Sequence, residues 1–438
     1  MEDAQGRAAY EELLRHDSGA HAQAAEDPDR PRYHFLPEPG WMNDPIPFFA
    51  DGRFHVFFQY NPRRPYWGDM HWGHTASADL VHWDHLPVAL APTPGGPDAD
   101  GCWTGCVVHA GGRYHALYTG VDPQVQCLAS SVDLATWAKD PGSPVIPTSQ
   151  KPASLGDTFR DPCVWRAGDA WYVVLGADLP GGGGSPLLYR SRDLRQWQLL
   201  HALYAGPAAG DECPDFFPLD GRHVLLSSRG QSVWAVGRFA DLRFTPQAHG
   251  VLDPGELYAV KTLEDDGGRR LAWGWVRESR PVREQVRAGW SGVLSLPRVL
   301  RVLPGGTLGM EPPEELASLR GEGRSVPCPP LEGTSEEAPA RIEVPPGGCF
   351  EVQADFDAGG GAAIGVVVPG AGAITWRGAG GRVRVFVDRS VVEVFVGGRE
   401  TITRRAYRAD GGGAGWLGLF ARDGKAAVGD LRVWELRG

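Results

Sequence analysis

Residues 52–60 read GRFHVFFQY, residues 112–120 GRYHALYTG, residues 168–176 GDAWYVVLG, residues 221–229 GRHVLLSSR and residues 268–276 GRRLAWGWV. Each stretch is a glycine followed by alternating aromatic and aliphatic residues. Glycine suits a tight turn, and an alternation of period two marks a strand, so each copy predicts a hairpin turn feeding a strand. The glycines stand 60, 56, 53 and 47 residues apart. A second phrase recurs in phase: SADLVHW from Ser77, SVDLATW from Ser131, SRDLRQW from Ser191 and a weaker FADLRF from Phe239. It reads as a turn and an outer strand closing each unit. Five units of about 50 residues, each holding several short strands, predict a five-bladed β-propeller. A β-sandwich with chance turns does not explain two phrases recurring together.

Outward from the repeat the texture changes. Prolines 304, 312, 313, 327, 329 and 330 crowd a polar stretch, and EPPEELASLRG within it predicts a short helix. After it come FEVQADF, AAIGVVV, GRVRVFVD, VVEVFV, WLGLFA and LRVWEL, six alternating stretches that predict a second all-β unit, a β-sandwich. Before the repeat, Ala8, Leu13 and Leu14 are spaced for one face of a helix over residues 3 to 25. The expected organisation is an N-terminal helical extension (1–30), the propeller (31–310), a linker with a short helix (311–325) and the sandwich (326–438).

Composition agrees with an all-β chain. Sixty Gly and 37 Pro in 438 residues imply many turns, and 16 Trp provide flat apolar faces of the kind that pack on sugar rings. The net charge is −11 without a Lys/Arg cluster, so nucleic acid is not an expected partner. No run of 18 apolar residues occurs, so no helical membrane span is expected. MEDAQGRAAYEELLRHD contains no apolar stretch of the secretory type. With seven scattered Cys read as reduced thiols, the expected location is the cytoplasm. Cys102 and Cys106, four apart, are not a metal-type pair, and no metal or other cofactor is expected.

The repeat also places the acids. In a propeller the strand before each glycine turn is the innermost. Asp44 of WMNDP lies 8 residues before Gly52, Asp161 of FRDP 7 before Gly168, and Glu212 of DECPD 9 before Gly221. Nearly equal offsets in different blades mean equivalent places around one axis, so the three carboxylates are expected to converge. Like charges gathered in one pocket cost free energy, which a purely structural protein has little reason to bear. A carboxylate pair among aromatics, with no metal ligands, suits glycoside cleavage: one acid attacks the anomeric carbon and the other protonates the leaving oxygen. Asp79 and Asp215 read as structural.

These motifs carry a resemblance. WMNDP, QYNP, WGHTASADLVHW, RDP, ECPD, YAVKT, GWSGVLSLPR and VDRSVVEVFV, in that order from Tyr33 onward, resemble glycoside hydrolase family 32, the family of invertases and other β-fructosidases. The resemblance implies a propeller plus a sandwich, retention of configuration, and release of terminal β-D-fructofuranosyl units from sucrose or fructo-oligosaccharides. It implies Asp44 as nucleophile, Glu212 as general acid and base, and Asp161 as the residue that binds fructosyl hydroxyls and stabilises the transition state. Arg160 would orient Asp161 or Glu212. Asn43 and Gln59 would contact sugar hydroxyls, and Trp67, Trp275 and Trp103 with Thr104 would wall the fructosyl pocket. Cys213 reads as a packed thiol, and Asp388 and Glu393 as structural.

The chain departs from the family pattern at three places. Ile46-Pro47 stands where Asn-Gly is usual; Asn-Gly makes a turn that Ile-Pro cannot, so an altered loop beside the nucleophile is expected. Trp-Thr-Gly-Cys at 103–106 replaces Phe-Ser-Gly-Ser, and Glu256 replaces an Asp. The first two are expected to border the sugar pocket and to affect substrate choice. Sucrose, inulin- or levan-type oligofructosides and phosphorylated sucrose are all admitted. The alternatives are a fructosyltransferase on the same scaffold and a non-catalytic fructan-binding protein. The expected partner is a small carbohydrate, and the sequence does not give the oligomeric state.

Overall fold

A computed structural model describes residue 24 and residues 26–437, apart from 38–39, 181, 205, 207–208, 360, 379 and 408–414. The helix expected over residues 3–25 lies outside the described residues, save for position 24. The described chain is nearly all β. Its one α-helix longer than a turn, Val282–Ala288, was not foreseen by periodicity; Pro281 before it and Gly289 after it, at φ 74°, are its sequence signals.

From residue 40 to 311 five sheets follow one another in chain order. Their first strands are Gly40–Ala50, Gly101–Ala110, Phe159–Ala167, Glu212–Leu219 and Leu257–Glu264. Each pairs antiparallel with a second strand that follows a repeat glycine. All five of these glycines, 52, 112, 168, 221 and 268, sit at φ between 62° and 75°, the left-handed turn geometry that the sequence called for. The Asp-Leu phrase is a second turn. Leu80, Leu134, Leu194 and Leu242 all have φ between 60° and 66°, and the Asp79, Asp133 and Asp193 carboxylates cap the turn by accepting backbone N–H groups two and three residues on. Asp79 is thus structural, as expected.

Each first strand packs against the first strands of the neighbouring sheets, and the fifth packs against the first, so the five strands close a ring. The ring is joined by a parallel pairing of Gly40 and Trp41 with Trp290 and Ser291. Gly292, at φ 78°, follows that junction, where a Cβ would meet the Met42 carbonyl oxygen at 1.8 Å.

The remaining strands form a six-stranded and a four-stranded sheet, which share one apolar core that includes Phe350, Val385, Ile364 and Leu419. All six stretches anticipated there are strands. The short helix is a 3-10 helix, Glu314–Leu319. Residues 320–325, expected in a linker, instead form a strand on the six-stranded sheet, paired with Lys425–Leu436; their Arg-Gly-Glu-Gly-Arg-Ser sequence lacks an apolar alternation because this edge strand is largely exposed.

Asp388 and Glu393 fasten the two regions together. Asp388 accepts the backbone N–H groups of Arg32, Tyr33 and His34, and the His34 ring bridges Asp388 and Glu393 at 2.9 and 3.1 Å. Glu393 also accepts the Leu296 N–H and pairs with Arg298 at 2.7 Å. Burial disfavours a charged imidazole here, but the two carboxylates overcome it and push His34 up to about 9. The structural reading of Asp388 and Glu393 therefore holds.

Candidate active site

The five first strands share a local distortion. Their ladders shift register around residues 43–44, 103–104, 161–162, 213–214 and 259–260. A bulge bends a strand and re-aims its side chains. Three of these positions, Asp161, Cys213 and Ala259, have φ of 61°, 46° and 53°, a region that non-glycine residues adopt only when their surroundings hold them there. Asp44, Thr104, Asp161, Cys213 and Tyr258 are thereby brought from five separate sheets to one place.

That place is a cavity of about 240 Å³. Nine of the ten residues expected at the site line it: Asn43, Asp44, Gln59, Trp67, Trp103, Arg160, Asp161, Glu212 and Trp275. The tenth, Thr104, does not. It is fully buried behind Asp44, and its hydroxyl donates to Asp44 Oδ2 across 2.7 Å, so it is a support and not a wall. Trp67 stands at the rim, 41% exposed, with its ring edge-on to Trp103 at 5.9 Å. The cavity also recruits Trp41, Cys213 and Tyr258, to which the sequence reading gave no role at the site. Tyr258 had a usable signal: it opens YAVKT 10 residues before Gly268, one more than the offset of Glu212 from Gly221.

Asp44 is 8% exposed, and burial raises its pKa. Three donors oppose that rise at a single oxygen, Oδ2: the Gln59 amide at 2.8 Å, the Thr104 hydroxyl at 2.7 Å and the Cys213 thiol at 3.3 Å. The other oxygen, Oδ1, takes none of these three. Burial drives the Asp161 carboxyl up to about 6; Arg160 pulls it down and the Asp44 charge pushes it further up. Its Oδ2 accepts the Cys213 backbone N–H at 2.9 Å, and its own N–H donates to Thr119 at 2.8 Å.

Arg160 Nη2 donates to Glu212 Oε1 at 2.5 Å, and Arg160 Nε lies 3.8 Å from Asp161. Of the two acids it was expected to orient, it grips Glu212 more closely. The Tyr258 hydroxyl donates to Glu212 Oε2. The Arg160 guanidinium also lies over the Trp103 ring, 5.6 Å from its centre. Cys213 is a packed thiol, pushed well up by burial, yet its Sγ touches both Asp44 and Asp161. Three polar atoms in the wall, Asn43 Oδ1, Trp41 Nε1 and Trp275 Nε1, have no hydrogen-bond partner among the described residues. Buried polar groups in this condition suit a ligand rich in hydroxyls.

Ile46-Pro47 does not form a loop beside this cavity. The bulge ends before Pro45, and Ile46 and Pro47 are already back in the ladder, opposite Phe57 and Val56. Neither has a positive φ. Ile46 is buried against Phe57, Trp72 and Cys102, on the far side of the bulge from the acids. The expected altered loop at the sugar pocket is thus absent, because this segment needs strand geometry, which Ile supplies.

The profile for the glycosyl hydrolases family 32 N-terminal domain matches residues 34–312, and that for the family 32 C terminal matches residues 371–435. The chain is 34% identical to a sucrose-6-phosphate hydrolase of Klebsiella pneumoniae, over 87% of this chain and 89% of that one. It is 33% identical to the raffinose invertase of Escherichia coli, over 93% and 95%. Among solved structures, fructan 1-exohydrolase IIa of Cichorium intybus superposes with a TM-score of 0.83 at 26% identity, over 94% of this chain and 98% of that one. A Bombyx mori β-fructofuranosidase variant in complex with sucrose superposes with a TM-score of 0.77 at 27% identity, over 100% and 99%. These matches span both the region that carries the three carboxylates and the region that carries Asp388 and Glu393, and on them the chain belongs to glycoside hydrolase family 32.

Proposed function

We propose that this glycosidase hydrolyses sucrose and short fructosides by double displacement, with Asp44 as nucleophile. The observation that carries the reading is the convergence of Asp44, Asp161 and Glu212, from three strands, in one sugar-sized cavity with a single arginine among its lining residues. In the first step Asp44 Oδ1 attacks C2 of the fructosyl unit. The C2–O bond to the leaving sugar breaks, and that oxygen takes the Glu212 proton. In the second, the Glu212 carboxylate removes a proton from water, whose oxygen attacks C2 and frees Asp44. Arg160 and Tyr258 hold the Glu212 carboxylate between the steps. The Tyr258 hydroxyl accepts from Glu212 when that acid is protonated, since a phenol does either. Asp161 binds fructosyl hydroxyls and stabilises the positive charge that develops on the ring. Asn43, Gln59, Trp41 and Trp275 complete the fructosyl pocket, and Trp67 at the rim offers a face to the leaving sugar.

The closed ring of five first strands supports a five-bladed propeller, and the shared core of the last two sheets supports a β-sandwich. The unit boundary falls in the segment between Glu311 and Arg320.

Sucrose, 1-kestose, inulin and levan, each incubated with the protein and with Asp44→Ala, test the reading. Free fructose, first seen as the β-furanose by NMR and lost in the variant, is the expected result. Longer oligomers as the main product would make the protein a transferase. No product from any of the four would overturn the reading.

A further inference from the structure

Along the first strands, side chains up to the bulge face the catalytic cavity, and those beyond it line a second cavity of about 230 Å³. Tyr258 and Lys261, three apart on one strand, face the first and the second respectively. Lys261 is 3% exposed. Its Nζ reaches the Pro162 carbonyl at 3.3 Å and the Pro214 carbonyl at 3.5 Å. Burying an ammonium is costly, and two long bonds to neutral carbonyls do not offset that cost alone; the Asp215 carboxylate that faces it also favours the charged form. The choice of these two carbonyls is informative. Pro162 follows Asp161 and Pro214 follows Cys213, the two residues whose positive φ presents the Asp161 carboxylate and the N–H that it accepts.

We propose that Lys261 is a positioning residue for the reaction: its ammonium holds the Pro162 and Pro214 carbonyls, so fixing the bulges that carry Asp161 and Cys213, and places a positive charge behind the carboxylates. The proposal rests on the roles assigned above. Asp215 and the thiols of Cys106, Cys163 and Cys213 face Lys261, while Arg160, Asp44 and Glu212 face Asp161. Arg160 serves the carboxylates from the cavity side and is itself committed to Glu212. Lys261 acts from behind, on the side of the bulges away from the catalytic cavity.

The pH dependence of sucrose hydrolysis by Lys261→Met and Lys261→Arg tests this. In Lys261→Met the acid limb of kcat/KM is expected to rise by about half to one pH unit, with kcat about tenfold lower and KM within about twofold. Lys261→Arg keeps the charge and is expected to leave the limb in place. A residue that serves only the core would lower thermal stability without moving the limb, and an unmoved limb in Lys261→Met overturns the proposal. Where Lys261→Met does not fold, Lys261→Gln, which retains a donor for one carbonyl, carries the same measurement. Loss of folding in both would make Lys261 a folding residue and overturn the proposal too. Failure of the catalytic assignment is seen separately, as turnover retained by Asp44→Ala.

Discussion

The Thr104 hydroxyl donates to Asp44 Oδ2 across 2.7 Å, joining the first strands of two neighbouring sheets. Sixty residues of sequence separate the two, and both sit in bulges. The bond orients the carboxylate and helps to keep it ionised against the burial that raises its pKa. Thr104→Val preserves the shape and removes the donor. It is expected to lower kcat for sucrose by about 10- to 100-fold with little change in KM. A variant with unchanged kcat would show that Gln59 and Cys213 suffice.

Tyr258 reaches the other side of the mechanism. Its hydroxyl donates to Glu212 Oε2, while Arg160 holds Oε1. Tyr258→Phe leaves the ring against Trp275 and takes away only that donor. Turnover is expected to fall by about 10- to 100-fold. The loss should be smaller for an activated aryl fructoside, whose leaving group needs less help from the acid. Equal losses on both substrates would place Tyr258 outside acid catalysis.

Asp161 sets a conflict between stability and activity. Its carboxyl is raised to about 6 in the folded protein, against an ordinary value near 3.8. Between those values the folded state keeps a proton that the unfolded chain has released, so stability falls as pH rises through the window. At pH 7 a cost on the order of 1–3 kcal/mol remains. Asp161→Asn is therefore expected to be more stable than the parent to urea at pH 7, with the difference closing towards pH 4, and to lose most of its activity. A variant no more stable than the parent at pH 7 would contradict the assigned shift. In the parent, kcat/KM is expected to fall on the acid side near pH 6.

His34 has the opposite sign. A histidine raised to about 9 contributes stability that is fully present below about pH 6.5 and lost as pH rises through 9. Urea titrations of the parent between pH 6.5 and 9.5 are expected to show that loss. His34→Gln is expected to be less stable at pH 6 and to show a flatter profile over the same range. Parallel profiles would mean that the Asp388–His34–Glu393 bridge is not charged.

Much of this was legible because it is periodic. The five turn glycines and the Asp-Leu phrases fix backbone positions locally, so spacing alone placed them. The acids were legible through their phase against those glycines. What escaped depends on contacts between strands. Thr104 was read as a wall because no local signal shows that it stands behind Asp44. In the sequence Tyr258 is one more strand aromatic, and only the fold sets its hydroxyl on Glu212. Ile46-Pro47 departs from expectation because the turn follows only from what other family members carry, while the bulge that redirects this strand ends before Pro45. Residues 320–325 were read as linker because an edge strand needs no apolar alternation.

The parallel pairing of Gly40 and Trp41 with Trp290 and Ser291 sets an order of events at the ribosome. The first sheet is complete in sequence by residue 90, but the partner of its leading edge is not synthesised until some 200 residues later. Until then Gly40 and Trp41, at the start of the strand that carries Asp44, lack their partners. Pairing over such a separation forms slowly, since closing a long chain segment must precede the gain from the contact. The seam beside the strand of the nucleophile is thus the last part of the ring to be sealed, after Gly292 has left the tunnel.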